Sequence, residues 1–168
     1  ASFRERACER IKARTSKVQS WFLDLQLVMS YWGGEGKRAY HHTAPINLLY
    51  GLHEALVILK EEGLEAAWAR HARNHLALRA GFEAMGLEFV VREAYRLPQL
   101  NAVSVPDGVD EAAVRAALLK DYSLEIGAGL GAMAGKIWRV GLMGHASNPK
   151  NVFTCLGAMD AVLSAMKA

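Results

Sequence analysis

The fold is decided by residues 43–86, which read TAPINLLYGLHEALVILKEEGLEAAWARHARNHLALRAGFEAMG. Apolar residues recur in both halves at steps of three and four, which predicts two consecutive helices that meet at Gly63 and each bury one face. Thr43 is predicted to be the N-cap of the first helix, with Pro45 just inside it. The predicted buried positions are Leu48, Leu49, Leu52, Leu56 and Leu59 in the first helix and Leu64, Trp68, His71, His75, Leu78, Phe82 and Met85 in the second.

Two further helices are predicted upstream of this stretch. Residues 2–14 are charged and favour a helix, and residues 20–32 carry apolar side chains at helical spacing. The pair Gly33-Gly34 is a typical helix stop, so the second of these helices is expected to end there. Residues 35–42 then form a polar connection.

After Gly86 the pattern changes from helical to extended. Strands are predicted at residues 87–92, 102–105, 122–126 and 136–142, with helices at 110–120 and 148–166, the first capped by Asp110. Four glycines between 127 and 135 predict a loop that is poor in side chains. The sequence therefore predicts an α+β fold, in which helices come first and a small, mostly antiparallel sheet with helices on one face follows.

Composition limits the classes of protein to consider. The chain has 168 residues, 52% of them hydrophobic, and a net charge of +3, which indicates a soluble globular domain, or a small domain with a piece of another. Basic residues alternate with acidic ones, and no apolar run has membrane-spanning length, so neither nucleic acid nor membrane is an expected partner. Cys8 and Cys155 are predicted to be reduced thiols, and the expected location is the cytoplasm.

Residues 40–43, Tyr-His-His-Thr, are the first candidate for a binding site. The N-terminus of a helix favours a phosphate, and the hydroxyls of Tyr40 and Thr43 are placed to donate to phosphate oxygens. The simpler alternative is that Thr43 only caps the helix and that both histidines are surface residues. A metal site is not expected, because adjacent histidines rarely reach the same ion and His71 and His75 lie on an apolar stripe.

Arg139 is the second candidate, because it interrupts an otherwise apolar strand beside the glycine-rich loop. A guanidinium binds a carboxylate through two parallel hydrogen bonds, so Arg139 would suit an α-carboxylate. The alternative is an arginine on the solvent face of the strand. No nucleophile with a neighbouring base is found, so the chain offers no candidate catalytic residue.

Together the two sites resemble those of a known family. Residues 40–50, YHHTAPINLLY, and residues 135–144, GKIWRVGLMG, resemble segments of alanine–glyoxylate/serine–pyruvate aminotransferases. These are class V members of the fold-type I pyridoxal-phosphate (PLP) enzymes. Residues 21–24 and 62–65 and the glycines at 129 and 131 also match in order and spacing, so the resemblance covers nearly the whole chain.

The resemblance implies a specific arrangement. Residues 1–62 would be the C-terminal end of the large PLP domain, a helical dimer-interface segment, and residues 63–168 a small C-terminal α+β domain of an α/β enzyme. Tyr40 and Thr43 would bind the cofactor phosphate held in the partner subunit of a homodimer. Arg139 would bind the carboxylate of the amino acid or keto acid, and residues 127–131 would help to line the cleft.

Two catalytic elements of the family are lacking from the sequence. The Schiff-base lysine and the aspartate facing the pyridine nitrogen lie in segments upstream of those that match, so the chain alone is expected to be inactive. The resemblance implies transfer of an amino group from alanine or serine to glyoxylate or pyruvate. The alternatives are a relative with pyridoxamine or ureidoglycine as donor, or a non-catalytic assembly module.

Overall fold

The computed structural model describes residues 2–32 and 39–167, except for the side chain of Lys167. The predicted glycine stop at Gly33-Gly34 and residues 35–38 of the predicted connection lie outside this part of the chain. The chain divides into two compact units, Ala1–Ala55 and Leu56–Ala168. The domain division predicted between residues 62 and 63 stays a prediction.

Three helices begin in the first unit: α1 (Glu5–Lys12), α2 (Leu25–Trp32) and α3 (Ile46–Glu62). Helix α2 begins five residues later than the start predicted at Ser20. The backbone N–H of Leu23 donates to the carbonyl of Ser20, and Asp24 Oδ1 accepts a hydrogen bond of 3.0 Å from the Gln26 N–H. The residues before Leu25 therefore form turns, and Asp24 supplies the acceptor that opens the helix.

Helix α3 begins at Ile46, so the prediction that Thr43 is its N-cap is wrong. The first helical hydrogen bond runs from Leu49 N–H to the Pro45 carbonyl (3.0 Å). Proline disfavours the helical conformation in the residue before it, which argues against a helix that begins at Ala44, as a cap at Thr43 would require. The Thr43 hydroxyl is thereby left available for a different partner.

The predicted buried face of α3 is also wrong for this chain. No residue of α3 is buried, and Leu48 and Leu52 are 74% and 56% exposed. The leucine spacing is that of an amphipathic helix, but the apolar face points to solvent. Large exposed apolar faces of this kind mark surfaces that associate with other protein.

In its described residues the second unit has three more α-helices, three short 3-10 helices and the sheet. The elements are α4 (Leu64–Ala84), β1 (Leu100–Ser104), α5 (Glu111–Tyr122), β2 (Gly127–Ala128), β3 (Ile137–Gly141) and α6 (Pro149–Lys167). The strands form an antiparallel sheet in the order β1-β3-β2. This arrangement confirms the predicted α+β class with a small antiparallel sheet.

The core of the second unit lies between this sheet and α4, α5 and α6. Trp138 and Val140 alternate along β3 with Arg139, and both are buried against the helices. The Trp138 Nε1–H donates to the Glu111 carbonyl at the start of α5 (3.2 Å), which satisfies the polar atom of a fully buried ring. Arg139 therefore projects from the face of the sheet opposite to the core.

The buried stripe of α4 agrees with the prediction only in its second half. His71, His75, Leu78 and Phe82 are buried as predicted, whereas Trp68 is 61% exposed. The stripe instead passes through Ala67 and Asn74. A small side chain at Ala67 fits closely against the unit, and the larger tryptophan one residue later projects outwards.

Two predicted strands are wrong. Only Phe89 of residues 87–92 pairs, in an isolated bridge with Val103 of β1. Residues 122–126 do not form a strand, because α5 continues to Tyr122 and ends at Ser123 in the left-handed conformation (φ 52°). Strand β2 lies instead within the predicted glycine loop. There Gly127 pairs with Arg139, and Ala128 pairs with Trp138.

Replacing Asp110 by alanine is expected to destabilise the second unit by about 1 kcal/mol, because Asp110 is the N-cap of α5. Its Oδ1 accepts hydrogen bonds from the N–H groups of Ala112 (2.9 Å) and Ala113 (3.0 Å). Urea unfolding followed by circular dichroism measures the change, with Asp107→Ala as the control in the preceding turn. Equal stability of the two variants would contradict the capping role.

Candidate functional site

The hydroxyl groups of Tyr40 and Thr43 lie 2.5 Å apart and form a hydrogen bond with each other. Both side chains are exposed, and the tyrosine is 72% accessible to solvent. Each hydroxyl has a single O–H, and one of the two is used in this mutual bond, so the pair has one free donor here and offers two to an anion only when the mutual bond opens. The structure thus brings together the two residues predicted to bind a phosphate.

The residues between these hydroxyls are anchored in the first unit. His41 is buried, stacks on Trp21 with ring centroids 4.1 Å apart, and has its Nε2 3.1 Å from the Trp21 carbonyl oxygen. The ring of His42 contacts Phe22 and Tyr31. The alternative of two surface histidines therefore does not hold for His41.

Arg139 lies in the second unit, on the middle strand of the sheet. Its Nε donates to the Ala128 carbonyl (2.6 Å), which fixes the side chain across β2. Among the described residues no carboxylate forms an ion pair with it. The terminal guanidinium nitrogens are therefore available to a carboxylate ligand, and the side chain is half-buried rather than fully solvated.

Arg139 has a small residue beside it on each of the two neighbouring strands. The register pairs it with Ala102 of β1 and with Gly127 of β2. A Cβ atom at Gly127 would lie 3.3 Å from Arg139 Nη2 and 3.4 Å from Nε, so glycine is what makes room for the guanidinium. Directly paired residues share a face, so the arginine lies in a shallow recess of the sheet.

A polar clamp, formed by Arg70, His71 and Asn74 of α4, holds the turn that follows β3. Arg70 Nη1 donates to the carbonyls of Gly144 and Ser147, both at 2.8 Å. The Gly144 N–H donates to His71 Nε2, and Asn74 Nδ2 donates to the Ser147 hydroxyl. The clamp fixes the end of the strand that carries Arg139. Sequence reasoning missed it, because the turn is more than 70 residues away along the chain.

The clamp is tied to the end of α3 by an ion pair across Gly63. Arg70 Nη2 donates to Glu62 Oε2 (2.8 Å), and its Nε donates to the other carboxylate oxygen. These hydrogen bonds hold the pKa of Glu62 below its usual value. The pair spans the kink between α3 and α4, where Gly63 has a φ of +84°.

Replacing Glu62 by glutamine is expected to destabilise the protein at neutral pH and to have little effect in acid. The folded-state pKa of Glu62 is depressed, so its contribution is present above the unfolded-state pKa and is lost as the pH falls through the folded-state value. Urea unfolding of both proteins between pH 7 and pH 3 measures this. A difference in unfolding free energy that does not shrink in acid would contradict the assignment.

The other candidate side chains are accounted for by local contacts. His71 Nδ1 lies 2.6 Å from the Ala67 carbonyl, and His75 Nδ1 lies 2.7 Å from Asn101 Oδ1, so both are satisfied core histidines. Both cysteines are free, and burial raises the pKa of Cys155 to about 11. Within residues 2–32 and 39–167 there is no cluster of metal-ligating side chains and no helix able to cross a membrane.

Comparison with known proteins identifies the relatives of this fold. No protein-family model matches the chain. It is 40% identical over 168 residues to an alanine–glyoxylate aminotransferase of Drosophila melanogaster, covering 99% of this chain and 43% of that protein. The crystal structure of an alanine–glyoxylate aminotransferase from Nostoc has a TM-score of 0.87 and 47% identity, covering 96% of this chain and 42% of the other. That of ureidoglycine–glyoxylate aminotransferase from Bacillus subtilis has a TM-score of 0.89 and 36% identity, covering 99% and 43%.

Fold and relatives together define a class, the class V aminotransferases of fold-type I. Within it the chain is similar, over nearly its whole length, to the C-terminal part of alanine–glyoxylate aminotransferases. It spans about 43% of the length of the fly relative.

Enzymes of this family depend on pyridoxal phosphate. The residues that the chain contributes fit such a cofactor at its phosphate end, because the exposed hydroxyls of Tyr40 and Thr43 lie side by side and can both donate once their mutual hydrogen bond opens. Neither hydroxyl carries a charge, so the positive charge that balances the phosphate must come from other groups.

Proposed function

We propose that this chain forms the C-terminal part of a PLP-dependent aminotransferase that moves an amino group from alanine or serine to glyoxylate or pyruvate. The observation that carries the proposal is Arg139, whose guanidinium is fixed by one backbone hydrogen bond and otherwise open to a ligand. Alanine, serine, glyoxylate and pyruvate all carry a carboxylate next to the reacting carbon. An arginine that binds this group serves both halves of a transamination.

The residues of the chain have distinct tasks in this proposal. Arg139 binds the α-carboxylate through two parallel hydrogen bonds, which orients the reacting carbon. Tyr40 and Thr43 donate to the phosphate of the cofactor and hold its position. Bound PLP supplies the electron-withdrawing ring and the carbonyl that accepts the amino group. The Schiff-base lysine belongs to a segment outside this sequence, so the chain alone is proposed to be inactive.

A homodimer whose active sites are shared between subunits is part of the same proposal. The exposed apolar face of α3 follows directly after Tyr40 and Thr43 in the sequence, and it is the kind of surface that associates with another protein. The same exposed face supports the second candidate, a non-catalytic assembly module. Both candidate functions predict a dimer, so detecting a dimer does not distinguish them. A measurement of aminotransferase activity does.

The test is an assay of the enzyme that contains this chain, supplied with PLP and a panel of donors. We expect alanine or serine to react with glyoxylate or pyruvate, and the chain of residues 1–168 alone to stay at the background rate. Preference for pyridoxamine or ureidoglycine would favour a related donor specificity. No activity with any donor would favour the assembly module, and turnover by the chain alone would contradict the role of an external lysine. The cytoplasmic location stays a prediction, which cell fractionation would check.

A further inference from the structure

The two histidines between Tyr40 and Thr43 form a hydrogen bond with each other. The proposed phosphate site uses only the two hydroxyls and gives this histidine pair no role. His41 Nδ1 lies 2.7 Å from His42 Nδ1. The other nitrogen of His41 faces the Trp21 carbonyl. A carbonyl oxygen only accepts, so the hydrogen of this second bond must be on His41 Nε2.

This geometry fixes the tautomers of both rings. With both rings neutral, His41 carries its hydrogen on Nε2, so its Nδ1 is an acceptor. His42 must therefore carry its hydrogen on Nδ1 and donate it to His41. Only this combination satisfies both bonds, which makes the pair directional: His42 donates to His41, and His41 donates to the backbone of Trp21.

The pair lies in a short segment without regular secondary structure, between Tyr40 and Thr43. His41 is only 6% exposed, while Tyr40 and Thr43 on either side of the histidines are exposed. The His41 ring stacks on Trp21, and the His42 ring contacts Phe22. These contacts hold both rings against the residues that precede α2. Once these rings are fixed, the backbone of residues 40–43 has little freedom, and the two outer hydroxyls are held close together.

We propose that His41 and His42 are positioning residues, whose directional hydrogen bond sets the Tyr40–Thr43 hydroxyl pair for a phosphate group. This inference rests on the proposed role of that pair in anchoring a phosphate. The histidines act through the backbone and do not touch the ligand. The recognised chemistry is a phosphate group, whether it is a monoester in a cofactor or free inorganic phosphate.

Two substitutions at His42 distinguish the effect of losing the hydrogen bond from the effect of changing the size of the side chain. Asparagine places an amide N–H donor where His42 Nδ1 stands, so His42→Asn is expected to keep the pair. Leucine fills similar space without a donor and leaves His41 Nδ1 unsatisfied. His53→Leu, on the exposed surface of α3, is the matched control for loss of a histidine.

The experiment is NMR spectroscopy of the enzyme that contains this chain, freed of its cofactor, with inorganic phosphate as the probe. Imidazole nitrogen shifts should show His41 protonated at Nε2 and His42 at Nδ1. Close contact between the Thr43 methyl and the Tyr40 ring should persist in wild type, His42→Asn and His53→Leu, and be lost in His42→Leu. Phosphate should shift the Tyr40 and Thr43 resonances, with affinity about tenfold weaker in His42→Leu only, the change expected for one lost hydrogen bond.

The outcomes separate the two proposals. If wild type shows no response to phosphate, the anchoring role fails, while the Tyr40–Thr43 contact in the variants still decides the positioning role. If phosphate binds wild type and His42→Leu alike, or the contact survives in His42→Leu, the positioning role is overturned and the anchoring role stands. The opposite tautomers would overturn it as well.

Discussion

Replacing Arg139 by glutamine is expected to lower kcat/KM for the amino acid substrate roughly 100-fold in the enzyme that contains this chain. Glutamine still reaches the recess beside Gly127 but has no charge and only one amide group. The substrate carboxylate would then be bound by a single neutral donor. Steady-state kinetics with alanine and with glyoxylate measure the loss, which should affect both substrates because both carry the same group.

Arg139→Lys is the informative companion. It keeps the positive charge but loses the planar fork and the Nε–H that donates to the Ala128 carbonyl. We expect partial activity, between that of the wild type and that of the glutamine variant. A glutamine variant with unchanged kcat/KM would show that Arg139 is only a residue of the open sheet face, as strand alternation alone allows.

The largest expected effect on stability comes from replacing Gly129 by alanine. A Cβ atom there would lie 2.0 Å from the Met133 carbonyl oxygen and 2.9 Å from Ile137 Cγ1. The first of these is backbone, so the loop between β2 and β3 must move. We expect a loss of about 3 kcal/mol in the free energy of unfolding, at the upper end for overpacking, measured by urea unfolding.

Gly157→Ala in α6 is the matched control for this substitution. A Cβ atom at that position meets nothing within 4 Å, and the backbone is helical. Alanine in a helix is favoured over glycine, so the variant should gain roughly 0.5–1 kcal/mol. If Gly129→Ala were as stable as the wild type, the loop beside Arg139 would be less tightly packed than the structure shows.

The elements that the sequence predicted well are those whose signals are local. Helices α5 and α6 and strands β1 and β3 follow from capping, periodicity and apolar alternation, and Asp110 caps α5 as expected. The predicted start of α3 is wrong because a threonine shortly before a proline resembles a cap, although the proline disfavours helix in the residue between them. The predicted burial of α3 is wrong because periodicity shows that a helix face is apolar but does not show whether other residues of the chain cover that face.

The sequence alone could indicate which residues are candidates for the site, but it could not predict the contacts that surround them. The sequence indicates Tyr40, Thr43 and Arg139 as candidates, and the structure leaves their side chains at least partly accessible, while their roles stay predictions. The recess around Arg139 depends on the register that places Ala102 and Gly127 beside it. The clamp of Arg70 on the turn after β3 and the pairing of His41 with Trp21 join residues far apart in the chain, and no local pattern reveals them.

The most direct test of the central claim compares binding of PLP with binding of pyridoxal, which lacks the phosphate. The measurement is the apparent Kd of each compound for the enzyme that contains this chain and for its Tyr40→Phe/Thr43→Val double variant. Two hydrogen bonds to a charged group are lost in the variant, so PLP should bind about 100-fold more weakly or worse, while pyridoxal binding stays unchanged. Equal effects on both compounds, or no effect on PLP, would contradict the claim that this chain anchors the cofactor phosphate.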